Sequence, residues 1–405
     1  MNLFTFLHRN APWLAAGSLL TFLSSFGQTF FISVFAGEIR AEFGLSHGVW
    51  GGLYSLGTAV SAAIMVWAGG LTDLFRVRVL GPLVLLGLAA ACVGMALNPV
   101  VWMLPMVILS LRLFGQGMSS HLAVVAMARW FVATRGRALS IATLGFALGE
   151  ASLPIVFVAL MAHIDWHDLW LVAAVICVLG VPILMLLLRQ ERTPQSMAQE
   201  FSSNGMQGRH WRRREALLHP LFWTMAPAIL GPAAFNTAFF FHQVHFAEIK
   251  GWPHVDLVAF FPLYTAMAIT AMVASGWALD RWGTARLMPF YQLPMVVSFV
   301  AFSLATGPAG ALVGFVFLAL TTGANSTLPN AFWAEFYGTA HIGSIKAIAA
   351  AVMVLGSAIG PGITGVLIDT GIGLEQQFIG IAAYFLFTTV MMYLGIRRAA
   401  AELIP

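Results

Sequence analysis

The chain has 405 residues, of which 60% are hydrophobic and only 9% charged, and its formal net charge is +4. Soluble domains carry about 25% charged residues, so this composition cannot cover a water-facing surface, and 32 Phe, 13 Trp and 19 Met deepen the deficit. A soluble enzyme and a nucleic-acid binder are excluded. A membrane-spanning helix needs ~20 mainly apolar residues, and in chain order the sequence offers such stretches at 12–36, 48–70, 80–98, 101–124, 138–162 and 168–188. Six more follow at 221–246, 256–279, 286–306, 308–331, 343–367 and 376–396. The first is too long for the apolar region of a signal peptide and no small-residue cleavage pattern follows it, so it reads as span 1.

Between spans 6 and 7, residues 189–215 lack apolar periodicity and read as a flexible, basic linker. The expected fold is all-α: a polytopic membrane protein of 12 transmembrane helices in two pseudo-symmetric six-helix bundles. The N-terminal bundle takes residues 1–188, a cytoplasmic linker 189–220 and the C-terminal bundle 221–405. Cys92 and Cys177 lie inside apolar runs and read as small buried hydrophobes, neither disulfide nor metal site.

Lysine and arginine set the orientation, because cytoplasmic loops retain positive charge. With the N-terminus inside, 17 of the 20 Lys and Arg fall on the cytoplasmic side, only Arg40 and Lys250 fall outside, and Arg112 lies within a span. Both termini are therefore expected in the cytoplasm, in a bacterial inner membrane or plasma membrane. The chain also repeats itself. A gapless shift of 207 residues lays GGLTD (69–73) on GWALD (276–280), Gly136 on Gly343, Gly149 on Gly356 and Pro154 on Pro361. Duplicated bundles are what an alternating-access carrier requires.

After span 2 come Gly69, Leu71, Asp73, Arg76 and Arg78; after span 8 come Gly276, Asp280, Arg281, Gly283 and Arg286. These segments resemble the loop signature of the major facilitator superfamily of secondary transporters, with Leu74 and Arg76 where Arg and Gly are usual in the first copy. Arg112 with Gly115 and Gly117 is similar to that family's span-4 motif. The run Ala128-Arg129-Trp130-Phe131, Arg135-Gly136-Arg137-Ala138, Gly145, Gly149 and Pro154 resembles the branch of monocarboxylate transporters and oxalate/formate exchangers. The resemblance implies a small-organic-anion substrate. It also implies that spans 1, 4, 7 and 10 face the pathway and that Asp73, Arg76, Arg78, Asp280 and Arg281 gate it.

Polar residues concentrate in those four spans. Gln28 in span 1, Arg112 and Gln116 in span 4, Asn236, His242, Gln243 and His245 in span 7, and Asn325 in span 10 are the candidate substrate contacts. A guanidinium at mid-membrane costs at least ~2.5–3.5 kcal/mol unless paired or hydrated. Arg112 is thus either an anion contact or a structural group bonded to helix ends and carbonyls. Glu150 is the carboxylate clearly inside a span; burial would raise its pKa and let it carry a proton, with Arg112 opposing. A static Arg112–Glu150 pair is the alternative. His242 and His245, three apart, are expected on one helical face; they either titrate against substrate or line a vestibule, and no further ligands complete a metal site with them. His121, toward the cytoplasmic end of span 4, reads as a gate or a helix-end residue. Glu335, His341 and Lys346 flank span 11 and read as gating residues. Gly145/Gly149 and Gly356/Gly360 read as close-packing surfaces between the halves.

The sequence therefore predicts a secondary transporter and not an enzyme, moving a small, anionic molecule in proton symport. A proton-driven exporter of amphipathic compounds and an organic-anion exchanger are the alternatives. No Walker A pattern is present and no cofactor is implied. The expected partners are substrate, protons and membrane lipid, and one chain holds a whole pathway, so a monomer suffices.

Overall fold

A computed structural model of the chain describes residues 3–131, 134–190, 205–338 and 341–403, with the side chains of Leu3, Phe4, Asp73, Arg135, Pro308, Gly343 and Ser344 outside that description. Among the described residues all regular structure is helical. Ten helices among the described residues are long and apolar enough to cross a membrane, and Thr5–Gly27 with Thr29–Phe43, bent by 46°, make an eleventh when the pair is counted as one span. The ninth predicted span, 286–306, holds Leu293–Leu304, a helix of 12 residues. It is short because Pro294 has no N–H to return to the preceding turn; residues 284–293 approach it through the short helix Thr284–Leu287 and the turns Phe290 N→Leu287 O and Leu293 N→Phe290 O.

Local signals set several helix ends. Ser46 caps His47–Ala68 by accepting from Val49 N at 3.2 Å, and Asp165 caps Trp166–Leu187 by accepting from His167 N at 2.9 Å. That bond, and the His167 ring at 2.7 Å, hold the Asp165 carboxyl below the usual carboxylate range. Gly44, at φ 62°, takes the left-handed turn that ends Ala36–Phe43.

The helices form two compact units: residues 1–199 with 240–244, and residues 200–239 with 245–405. In the first, Phe26, Phe31, Phe35, Phe157 and Trp170 interlock edge to face, with centroids 4.8–6.3 Å apart. In the second, Phe239 stacks on Phe302 at 4.3 Å, and Phe246, Phe299, Phe315 and Phe378 pack around this pair edge to face or tilted. Outward faces are apolar too: Val66, Trp67 and Trp102 are each 75% exposed. Only a lipid environment makes such a surface stable, and the chain is a multi-pass membrane protein.

Two sequence expectations change. Residues 191–204 of the predicted linker lie outside the described residues, but 205–220 are not a loose tether. Met206 and Trp211 are buried, Trp211 N donates to Tyr337 O at 2.9 Å, and Arg213–Leu218 is helical. Met206, Trp211 and Ala216, all in the buried core, dock a segment that otherwise carries five arginine and histidine residues between 209 and 214. The glycine pairs, expected between halves, instead pack within each unit. A Cβ on Gly145 would lie 1.9 Å from Ser18 O and one on Gly149 2.1 Å from Ser25 Oγ; for Gly356 and Gly360 the limits are Leu230 O at 2.6 Å and Ala234 O at 2.3 Å. Span 5 thus presses on span 1, and span 11 on span 7, through α-carbons that carry no side chain, which only glycine provides.

Candidate functional site

Span 1 does not run straight through its unit. The helix Leu3–Leu23 tightens into a 3-10 turn at Ser24–Gly27, Gln28 is extended (φ −88°, ψ 154°), and helix resumes at Thr29. Facing this break, Arg112–Ser119 of span 4 is wound as a π-helix. The two irregular segments meet backbone to backbone: a Cβ on Gly27 would stand 2.1 Å from Leu111 O and 2.7 Å from Gly115 Cα. Hydroxyls stitch the surrounding contact, with Ser119 Oγ donating to Leu20 O at 2.8 Å, Ser120 Oγ to Ser24 Oγ at 3.0 Å and Ser18 Oγ to Ile141 O at 2.9 Å.

A break frees carbonyls that must find other donors in a dry interior. Arg112, 3% exposed, supplies one: its Nη1 donates to Gly27 O at 3.3 Å and to Thr29 Oγ1 at 3.2 Å. Thr29 Oγ1 is also 2.6 Å from Tyr54 OH, and the Tyr54 ring centroid lies 5.5 Å from the guanidinium carbon. Arg112 Nε, sealed from solvent, has no hydrogen-bond partner, and no carboxylate pairs with Arg112 among the described residues. Gln28 is 8% exposed, with no side-chain hydrogen bond among the described residues. Glu150, half-buried, follows Gly149, the residue pressed on Ser25. The fold therefore brings Arg112 of span 4 onto the stretch of span 1 that holds Gln28, and places Glu150 of span 5 next in sequence to the glycine pressed on that stretch. Gln116, on the same π-helix, is exposed.

Span 7 is also interrupted. The helix Pro220–Phe241 stops, His242 is a turn, and Gln243–Lys250 resumes. His242 and His245 consequently do not share one continuous helical face, and they fall in different compact units. His242 is buried with its ring centroid 6.0 Å from that of His47; His245 Nδ1 lies 3.5 Å from Glu248 Oε2. Gln243 is wholly buried, its Nε2 donating to Phe30 O at 3.1 Å and Ser33 Oγ at 2.7 Å. Phe241 stacks on Trp50 at 5.4 Å.

In the second unit Pro232 removes the N–H that Ala228 O would accept, and Gln292 Nε2 replaces it at 2.5 Å. Gln292 also donates to Tyr291 OH at 2.8 Å and accepts from Thr388 Oγ1 at 2.8 Å, while Tyr291 OH donates to Asn325 Oδ1 at 3.1 Å. Asn325 belongs to this network. Asn236 is half-buried, its Oδ1 without a hydrogen-bond partner. Tyr54, Tyr291, Gln292 and Thr388 escaped the sequence reading; Pro232 in span 7, whose freed carbonyl demands a donor, was the signal for Gln292.

At the ends bearing the signature loops the two units use one device with different chemistry. Arg129 Nη1 donates to Thr72 O at 2.6 Å, and Glu335 Oε2 accepts from Thr284 Oγ1 at 2.7 Å, so a charged residue near the end of the fourth span of each unit holds the loop after its second. The side chain of Asp73 lies outside the described residues. Arg76 is exposed at the start of span 3, and Arg78 Nη1 donates to Arg189 O at 3.2 Å. Asp280 and Arg281 are exposed, the latter 5.8 Å from the Trp277 ring centroid. His341 is exposed just before Ile342–Asp369, and Lys346 is half-buried in its first turns. Cys92 and Cys177 are buried and free.

The sequence profile of the Major Facilitator Superfamily matches residues 17–361. No curated relative matches the chain in sequence. Among solved structures, the chain is similar to a bacterial homologue of the human lysosomal transporter Spinster in an inward-facing, unoccupied conformation, at TM-score 0.75 and 16% identity over 98% of each chain. The occupied form of that protein gives TM-score 0.73 at 16% identity, covering 97% of this chain and 98% of that one. A mutant of the nucleoside transporter NupG gives TM-score 0.67 at 12% identity, over 97% of this chain and 100% of that one. The chain belongs to the Major Facilitator Superfamily; it is a membrane transporter, not an enzyme.

Proposed function

We propose that this member of the superfamily is a secondary transporter that moves a small organic anion, a monocarboxylate or related acid, by alternating access in symport with protons. Arg112 carries the anionic assignment. It is a buried cation with no carboxylate partner among the described residues, and its Nε has no hydrogen-bond acceptor. A buried charge without a counter-charge is unfavourable by several kcal/mol, and a substrate carboxylate supplies both the charge and the acceptor. The Nη1 bonds to Gly27 and Thr29 fix the guanidinium plane in readiness. Gln28 adds an amide at the same break, and Tyr54 contributes an aromatic face.

Glu150 is the proton carrier in this reading. Its helix touches span 1 at Ser25 while Arg112 touches it at Gly27 and Thr29, so any movement of that stretch alters both surroundings at once. Taking up a proton with the anion keeps the loaded site electrically neutral. Arg129 and Glu335, with the signature loops, act as latches, and His341 and Lys346 belong to the same gating group. The Lys and Arg distribution supports cytoplasmic termini in a bacterial inner membrane or plasma membrane, and one chain suffices. The Arg129–Pro154 segment favours the monocarboxylate and oxalate/formate branch.

The test is uptake of labelled formate, lactate and oxalate by proteoliposomes under an inward proton gradient. Accumulation that a protonophore abolishes, together with at least a tenfold weaker binding constant in Arg112→Lys, is the expected result, because lysine lacks the planar fork. Transport restricted to neutral or cationic solutes, or unchanged binding in Arg112→Lys, overturns the anionic assignment.

A further inference from the structure

The segment 205–220 packs Met206, Trp211 and Ala216 into the core of the second unit and leaves its arginines outside. Trp211 is buried, while Arg212, Arg213 and Arg214 are exposed. Gln207 N donates to Glu402 O at 2.7 Å, and a Cβ on Gly395 would lie 2.1 Å from Thr224 Oγ1. The beginning of span 7 and the end of span 12 are therefore side by side. Arg397 and Arg398, exposed in the last turn of Leu374–Ala400, join the same end.

The acids nearby are committed elsewhere. Glu215 pairs with Arg209 at 3.0 Å and accepts from Arg212 N at 2.7 Å; Glu402 accepts from Gln207 Nε2 at 2.8 Å and lies 4.0 Å from His219 Nε2. Arg213, Arg214, Arg397 and Arg398 make no ion pair among the described residues. Beside them stand two large apolar side chains, Leu218 at 75% and Trp223 at 60% exposure. Trp223 Nε1 donates to Leu217 O at 2.8 Å, which satisfies the indole N–H and leaves its ring for the bilayer. Exposed tryptophan at a span end marks the headgroup boundary.

We propose that Arg213, Arg214, Arg397 and Arg398 form a site for the headgroup of an anionic phospholipid, with Leu218 and Trp223 against its acyl chains. Guanidinium forks match phosphate oxygens in pairs, and basic clusters flanking a span recruit anionic lipid. The adjoining apolar pair is what selects a lipid over a soluble anion, since it offers nothing to free phosphate. A bound lipid would fasten both the docked segment and the start of span 7 to one leaflet.

The test uses the full chain in detergent, titrated with dioctanoyl-phosphatidylglycerol, dioctanoyl-phosphatidylcholine and inorganic phosphate, read by calorimetry. Phosphatidylglycerol should bind at least tenfold more tightly than phosphatidylcholine, and more weakly as salt rises. The quadruple change Arg213→Gln, Arg214→Gln, Arg397→Gln and Arg398→Gln should remove that preference, and the matching Lys variant should keep most of it. If the Gln variant does not fold, amide exchange of residues 212–218 in wild-type nanodiscs decides: slower exchange with phosphatidylglycerol than with phosphatidylcholine supports the site. Equal affinity for both lipids, equal exchange in both nanodiscs, an unchanged preference in a folded Gln variant, or full competition by millimolar phosphate overturns it.

Discussion

Replacing Gly27 by alanine tests whether the break in span 1 is held by backbone contact with span 4. The new methyl carbon would stand 2.1 Å from Leu111 O and 2.7 Å from Gly115 Cα, whereas real Cβ atoms essentially never come within 3.0 Å of another heavy atom. Both obstacles are backbone, so the helices must part by about 1 Å, and forced overpacking of this kind costs ~1–3 kcal/mol. The displacement also pulls Gly27 O away from Arg112 Nη1, now at 3.3 Å; a hydrogen bond to a charged group contributes ~1.5–3 kcal/mol. Together these predict a loss of ~2.5–6 kcal/mol, which for a unit of this size lowers the unfolding temperature on the order of 5–25 °C. Cys92 and Cys177 are both wholly buried in the same unit, so a thiol-reactive fluorescent dye reports its unfolding during a temperature ramp. Gly52→Ala is the control: nothing lies within 4 Å of its added carbon, and a helical Gly→Ala change is neutral or stabilising by up to about 1 kcal/mol. An unfolding temperature for Gly27→Ala equal to that of Gly52→Ala would refute the close-contact account.

Glu150→Gln should abolish accumulation driven by a pH gradient while preserving substrate exchange; intact gradient-driven uptake in proteoliposomes would remove Glu150 from the proton path. Gln292→Leu should destabilise the second unit by ~1–3 kcal/mol, because Ala228 O and Thr388 Oγ1 both lose a partner, and an unchanged denaturation midpoint would count against it. The backbone N–H of Arg212, and then the charge of Arg209, hold the Glu215 carboxyl below its ordinary value of 4.5. Its folded pKa is depressed, so the stabilisation is complete above the unfolded value and fades as pH falls through the folded one. Amide exchange in 213–218, corrected for intrinsic rates, should therefore quicken below about pH 4.5 in wild type and not in Glu215→Gln.

What the sequence determined by itself was everything that depends on sums along the chain. Scarce charge and repeated apolar stretches required helices in lipid, because no other open-ended structure satisfies its backbone there. The 207-residue repeat announced two related halves, and the profile match over residues 17–361 places the chain in the superfamily that its loops resemble. Arg112 and Glu150 stood out because an ionisable residue inside an apolar run is costly wherever it points. Tertiary structure alone decided what those residues touch. That span 1 breaks at Ser24–Gln28, that span 4 widens into a π-helix opposite it, and that span 7 turns at His242 depend on carbonyls finding donors on other helices. Such pairings, like Gln292 with Ala228, join residues 64 or more positions apart. The docking of 205–220 was hidden for a related reason: three buried side chains, Met206, Trp211 and Ala216, hold it, and their spacing matches neither the helical nor the strand period.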